Sequence, residues 1–351
     1  MTETGLALID LVIMIAKIVL VVFINVNLVL VLILAERKVS AYMQDRIGPN
    51  RVGPGGLLQP VADGIKFIFK EDIIPNHVEK VIYVIAPMMV LIPSILTFAV
   101  IPFGHSFSAF GREVNLQIAN LNVGLLYIFA LVSLSVYGLI LGGWASNSKY
   151  PLFGAIRSSA QVISYELSMG LALIGVLMIA GTLRLDEMVK QQSQLLFGIL
   201  PNWNIFLQPV GFIIFLISIF AETNRLPFDL SEAEPELVAG YHTEYSSMKF
   251  SMFFMGEYIA MITASALIST LYFGGWDFPY VDESQMGLWG VVLSLVAFAA
   301  KTGFFLFFFI WIRWTIPRFR FDQLMRLGWK VLLPIALANV VVTGIIISLL
   351  Y

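Results

Sequence analysis

The sequence predicts an all-α polytopic membrane protein: eight transmembrane helices plus one amphipathic helix lying in the membrane interface. Three observations carry this. The chain is 59% hydrophobic and 13% charged, with mean hydropathy +0.87, whereas a soluble domain is about a quarter charged. Several apolar runs reach the ~20 residues that cross a ~30 Å hydrocarbon layer. None shows the ~10-residue alternation of a transmembrane barrel strand, so the backbone donors must be satisfied inside helices.

The predicted spans are residues 9–34, 81–103, 121–143, 159–181, 205–221, 250–273, 287–312 and 330–351. The N-terminal "MTETGLALID" lacks the basic n-region of a signal peptide, so the first apolar segment is expected to remain as a membrane helix. "RIGPNRVGPGG" (46–56) has the Gly and Pro density of a tightly turned segment. The following "LLQPVADGIKFIFK" (57–70) puts Leu58, Val61, Ile65, Ile68 and Phe69 on one helical face and Asp63, Lys66 and Lys70 on the other. That pattern is an interfacial amphipathic helix. No long Pro/Ser linker, low-complexity stretch or internal repeat divides residues 1–351, which read as one transmembrane domain.

Orientation follows from lysine and arginine. Loops after the odd-numbered spans hold sixteen of them, and loops on the other side hold three, Arg112, Arg184 and Lys190. The positive-inside rule then places 35–80, 144–158, 222–249 and 313–329 in the cytoplasm and both termini outside. In a bacterial cell this means a multi-pass protein of the cytoplasmic (inner) membrane with periplasmic termini.

Composition also excludes functions. The net charge of −2 gives no support for a nucleic-acid partner. Cysteine is absent, so disulfides and thiolate-bound metal or iron–sulfur centres cannot form within the chain. The three histidines, His77, His105 and His242, are scattered, and neither GxGxxG nor GxxxxGK[ST] occurs.

What remains is an unusual set of charges. The cytoplasmic segment "AETNRLPFDLSEAEPELVAGYHTEY" (221–245) carries six carboxylates, Glu222, Asp229, Glu232, Glu234, Glu236 and Glu244, against one arginine, Arg225. Lys17, Glu166, Glu257 and Lys301 lie within spans, where an ionisable group costs a few kcal/mol and usually faces a bundle interior or a watered cavity. Glu166 sits in a polar stripe, "SSAQVISYELS", suited to hydrating a proton path, although serine and glutamine also serve as ordinary helix–helix glue. Lys301 reads as marking a polar path. Lys17 is equally well placed to snorkel or pair with a neighbour.

Long motifs then carry a resemblance. "AERKVSAYMQDRIGPNRVGPGGLLQPVADGIKFIFKE" (35–71), "GAIRSSAQVISYE" (154–166), "AETNRLPFDLSEAEPELVAGYHTEYSS" (221–247), "FFMGEYIAM" (253–261) and "PRFRFDQLMRLGWKVLLP" (317–334) resemble the signature blocks of the quinone-proximal membrane subunits of respiratory complex I. The resemblance runs nearly end to end. It implies a subunit of a proton-pumping NADH:quinone oxidoreductase with no redox cofactor of its own. Flavin and iron–sulfur clusters are expected in partner subunits, and quinone is the substrate. The implied partners are peripheral-arm subunits at the cytoplasmic face, other membrane-arm subunits, quinone and the lipid bilayer. By motif, Arg37, Arg46, Asp63, Phe254 and Arg313 are expected at the quinone chamber or its entrance. Glu166, Glu222, Asp229, Glu232, Glu234, Glu257 and Tyr258 are expected to form a proton relay leading away from it. Clustered carboxylates raise one another's pKa values and hold shared protons, which suits such a relay. Two alternatives stay open at this point: a subunit of a related membrane-bound hydrogenase or ferredoxin- or coenzyme-linked dehydrogenase, and a stand-alone cation or proton transporter.

Overall fold

A computed structural model of the chain describes residues 3–109, 112–196, 198, 200–230, 237–281 and 286–350. Glu232, Glu234 and Glu236 of the acidic segment lie outside them.

The first helix, α1 (Glu3–Met43), is longer than the apolar run that predicts it. No proline interrupts it, and "AERKVSAYM" consists largely of competent helix formers, so polarity alone does not end the helix. Residues 35–43, expected to begin a cytoplasmic loop, are therefore helical. One buried stripe runs along α1 at Asn25, Val29, Leu32, Glu36 and Ser40, a spacing of three and four that defines one helical face.

The Gly/Pro-rich turn leads into α2 (Gln59–Phe69). Its Val61, Ile65, Ile68 and Phe69 are exposed, turned away from the rest of the protein as the periodicity predicts. Then come α3 (Lys80–Leu96), closed by a 3₁₀ turn over Thr97–Val100, α4 (Gly124–Ala145) and α5 (Lys149–Ala180). Further along are α6 (Leu185–Gln192), α7 (Asn204–Leu207), α8 (Pro209–Glu222), α9 (Ser247–Tyr272), α10 (Leu288–Thr315) and α11 (Phe321–Arg326). A π-helical turn over Leu327–Leu332 joins α11 to α12 (Leu333–Leu350). Two short antiparallel strand pairs, Phe107–Ala109 with Arg112–Val114 and Leu195–Leu196 with Leu200–Pro201, and 3₁₀ turns over Pro54–Gly56 and Gly240–His242 are also described.

Among the described residues, seven helical stretches are long and apolar enough to cross a membrane, against the eight predicted. The segment predicted at 205–221 is divided. Gln208 leaves the helical region (φ −132°, ψ 57°), and Pro209 restarts the helix as α8 because proline has no N–H and disfavours helical geometry in the residue before it. The 14 residues of α8 span only about 21 Å at 1.5 Å each.

Helix α9 is the core. Every residue from Met261 to Tyr272 is buried, although four of them are serine or threonine. Its serine and threonine hydroxyls do not need distant partners: Ser265, Ser269 and Thr270 donate to carbonyls four residues back. Helices α3 and α10 pack on α9, while α5 packs on α4, α8 and α12. The α3–α4 contact is so close that a Cβ on Gly138 would stand 2.5 Å from a Val90 methyl and 2.9 Å from the Ala86 carbonyl.

Candidate functional site

Helix α1 brings Glu36 into the bundle, where it is 6% exposed. Such a carboxylate needs compensation, because burying a charge without a partner is costly. Arg225 Nη1 donates to Glu36 Oε2 at 3.3 Å, Tyr258 donates its hydroxyl to the same oxygen at 2.7 Å, and Arg313 donates to Oε1. Arg225, itself 4% exposed, also lies over the Tyr258 ring at 4.3 Å. Burial works against the Arg225 charge, but Glu36, Tyr258 and Glu257 together outweigh it and hold the guanidinium pKa above its ordinary value. Two arginines thus share the Glu36 carboxylate, and Glu257 also acts on Arg225.

This cluster forms one wall of a cavity of about 490 Å³ bounded by α1, α2, α9 and α10. Glu36, Arg37, Arg46 and Arg313 supply its charge, and Phe254 and Trp314 are among the apolar groups. Arg37 is held from outside by Asp63 of α2, Nη1 to Oδ2 at 2.6 Å, and Asp63 also accepts from Gln59. Arg46 is steadied by Gln44, which accepts from its Nε at 2.7 Å. An apolar cavity with a few convergent cations suits an elongated, largely apolar ligand with an electron-rich polar head. All five residues expected at a chamber converge here: Arg37, Arg46, Phe254 and Arg313 line the cavity, and Asp63 positions Arg37.

The expected relay residues are distributed around it. Tyr258 lines the cavity and Glu257, its neighbour on α9, accepts from the Tyr241 hydroxyl at 2.9 Å. Asp229 accepts from Arg318 Nη2 at 2.9 Å. Glu222 ends α8 and lines a second, smaller cavity. Glu166, on α5, accepts from the Ser133 hydroxyl of α4 and lies near enough to Glu222 for the two charges to interact. Glu232 and Glu234 fall outside the described residues.

Sequence reasoning missed Glu36 as a functional group, along with the partners Arg225, Tyr241 and Arg318. Glu36 lies just past the apolar run of the first predicted span, and its place on the buried stripe of α1 is seen only in the fold. The arginines gave no signal, since each also fits positive-inside anchoring. Lys301, expected to mark a polar path, has backbone partners. Its ammonium donates to the carbonyls of Gly275 and Asp277, in the turn after α9, and lies 5.1 Å from the Trp203 ring centre. Lys17 donates to the Gln117 carbonyl at 3.3 Å. Among the described residues no group of three or more His, Asp or Glu is placed to hold a metal ion.

A sequence model of the family described as NADH dehydrogenase matches residues 15–344. A protein from Geobacter metallireducens, named as a subunit of NADH-quinone oxidoreductase, is 55% identical over 340 residues, covering 97% of this chain and 98% of that protein. The equivalently named protein from Cytophaga hutchinsonii is 51% identical, over 90% of this chain and 91% of its own. Another NADH-quinone oxidoreductase subunit, from Thermomicrobium roseum, is 52% identical, over 89% of each.

Proposed function

The chain belongs to the NADH dehydrogenase family, and from that membership we propose that it works as a membrane subunit of a proton-pumping NADH:quinone oxidoreductase. In this reading it forms the membrane side of the quinone chamber and links quinone reduction to proton movement through buried carboxylates. The observation that carries the reading is the convergence of Arg37, Arg46, Phe254 and Arg313 on one cavity with Glu36 and Tyr258 in its wall. The apolar part suits an isoprenoid-like tail, and the arginines suit a quinone carbonyl and the negative charge that reduction places on it. Electrons arrive from clusters and flavin in partner subunits at the cytoplasmic face.

The relay reading rests on the carboxylates that lead away from the chamber. Glu257 and Tyr258 are adjacent on α9, and Glu222 and Glu166 interact deeper in the bundle. Reducing a quinone consumes two protons, so charge appears in the chamber during turnover. Carboxylates that share protons respond to such a change by shifting them. Asp229, Glu232 and Glu234 are assigned to the cytoplasmic end of the relay.

We assign the chain to the bacterial inner membrane as one domain with both termini periplasmic. Helix α2 rests its exposed apolar face in the cytoplasmic interface, and α7 with α8 serves as the eighth membrane segment. The test is Arg46→Ala in the assembled enzyme. NADH oxidation by a quinone should fall by about tenfold or more, as expected for loss of a charged ligand contact of roughly 1.5–3 kcal/mol, while NADH oxidation by ferricyanide stays at the wild-type rate. Equal loss of both activities would remove Arg46 from the chamber.

A further inference from the structure

The second cavity, about 50 Å³ and enclosed between α3, α4, α5, α8 and α9, has a chemistry that the quinone chamber does not explain. Its polar lining is Ser94, Thr97, Ser135, Glu222, Thr223 and Thr263. Each hydroxyl has a carbonyl of its own helical segment to donate to: Ser94 to Val90, Thr97 to Ser94, Ser135 to Val132, Thr223 to Ile219 and Thr263 to Ile259. Thr97 and Thr263 also approach each other at 3.0 Å. One of these two protons can serve the Thr97–Thr263 contact and the other hydroxyl protons have backbone acceptors, so the group offers lone pairs to the cavity.

The electrostatics point the same way. Among the described residues the Glu222 carboxylate has no hydrogen bond and no ion pair, and the charged group acting on it is another acid, Glu166. Glu222 is the last residue of α8, and Thr97 follows the last residue of α3. The negative ends of two helices therefore meet at the cavity. Glu222, the hydroxyl lone pairs and the helix C-termini put a negatively polarised group of oxygens into a cavity otherwise lined by apolar side chains such as Ile128, Phe129 and Leu267. Since roughly 10–15 Å³ admits one water, the space holds an ion with a couple of waters.

We propose that this cavity is a binding site for a small monovalent cation of sodium size, with Glu222 as its anionic ligand and the Thr97–Thr263 pair among its neutral ones. A divalent ion is disfavoured because the cavity lining itself contributes one carboxylate. Sodium and the proton are then alternative occupants of Glu222. The proposal does not depend on whether Glu222 relays protons during turnover, because occupancy can be measured in the resting enzyme.

The test uses the assembled complex in its native membrane. A hydrophobic carbodiimide labels a buried carboxyl only while it is protonated, and peptide mass spectrometry locates the label. Sodium should slow labelling of Glu222 by about tenfold once its concentration is about tenfold above the dissociation constant, since only the unoccupied fraction reacts. Choline at equal ionic strength should not. Thr263→Val and Thr97→Val preserve shape but remove the lone pairs, and each should leave labelling intact while weakening protection by sodium. Equal protection by sodium and choline, or full protection in both valine variants, overturns the site. Should Glu222 resist the reagent, carboxyl infrared difference spectra on exchanging choline for sodium read the same event. Absence of a sodium-induced carboxyl band that disappears in Glu222→Gln overturns it equally.

Discussion

Tyr258 and Glu36 are 222 residues apart in the chain, and the tyrosine hydroxyl donates to the carboxylate at 2.7 Å inside the bundle. This bond joins the C-terminal part of α1 to α9, and Arg313 and Arg225 bring α10 and the segment after α8 to the same carboxylate. Glu36 is thus the point where the walls of the larger cavity are tied together.

Removing Glu36 takes from Arg225 and Arg313 the buried carboxylate they share. Glu36→Ala should cost about 3–5 kcal/mol, the range for breaking a buried ion pair from one side. Tyr258→Phe loses one hydrogen bond to a charged group and should cost about 1.5–3 kcal/mol. Thermal melting of the detergent-solubilised complex, with the level of assembled protein, should rank wild type above Tyr258→Phe above Glu36→Ala. A Glu36→Ala complex that assembles and melts like wild type would show that the cluster does not join the walls.

Glu166→Gln tests the relay. Glutamine keeps the size of glutamate and can still accept the Ser133 hydroxyl, but it does not titrate. Assembly should be preserved, while quinone-dependent NADH oxidation and proton uptake into proteoliposomes fall together. Glu222→Gln should behave alike. Glu113→Gln, in the hairpin expected outside the membrane, should be nearly silent. Full coupled activity in assembled Glu166→Gln would leave the residue a packing role only.

Orientation is accessible because the chain has no cysteine of its own. Single cysteines at Asn50 and Ser193 should react with an impermeant maleimide from opposite sides of oriented vesicles, Asn50→Cys from the cytoplasmic side and Ser193→Cys from the periplasmic side. Reversal of the two patterns would overturn the reading from charge.

Lys301 separates two roles. If it only closes the turn after α9, Lys301→Met should lower the melting temperature of the complex, because the Gly275 and Asp277 carbonyls lose a charged donor worth about 1.5–3 kcal/mol per bond. Turnover per assembled complex should be unchanged. Lost turnover with unchanged melting would restore the polar-path reading.

The helical membrane class and the positions of most spans were legible in the sequence because each depends on a local property: twenty apolar residues in succession, or three- and four-residue spacing as in α2. The motifs likewise marked Arg37, Arg46, Asp63, Phe254 and Arg313 as residues of one region. Three things could not be read from local pattern. The interruption at Gln208–Pro209 lies in a stretch apolar enough to span, and there the backbone restriction imposed by one proline outweighs hydropathy. The pairing of Glu36 with Arg225, Tyr258 and Arg313 depends on four segments distant in sequence, and a carboxylate has no sequence-local signature of the cation that will compensate it. Lys301 stands out in the sequence because a mid-span charge is costly, but that packing brings the carbonyls of the α9–α10 connection to its ammonium is seen only in the fold. Local chemistry determined which segments enter the membrane; only the packed bundle decided which charges meet, because Coulomb and hydrogen-bond energies depend on distances that the chain's linear order does not contain.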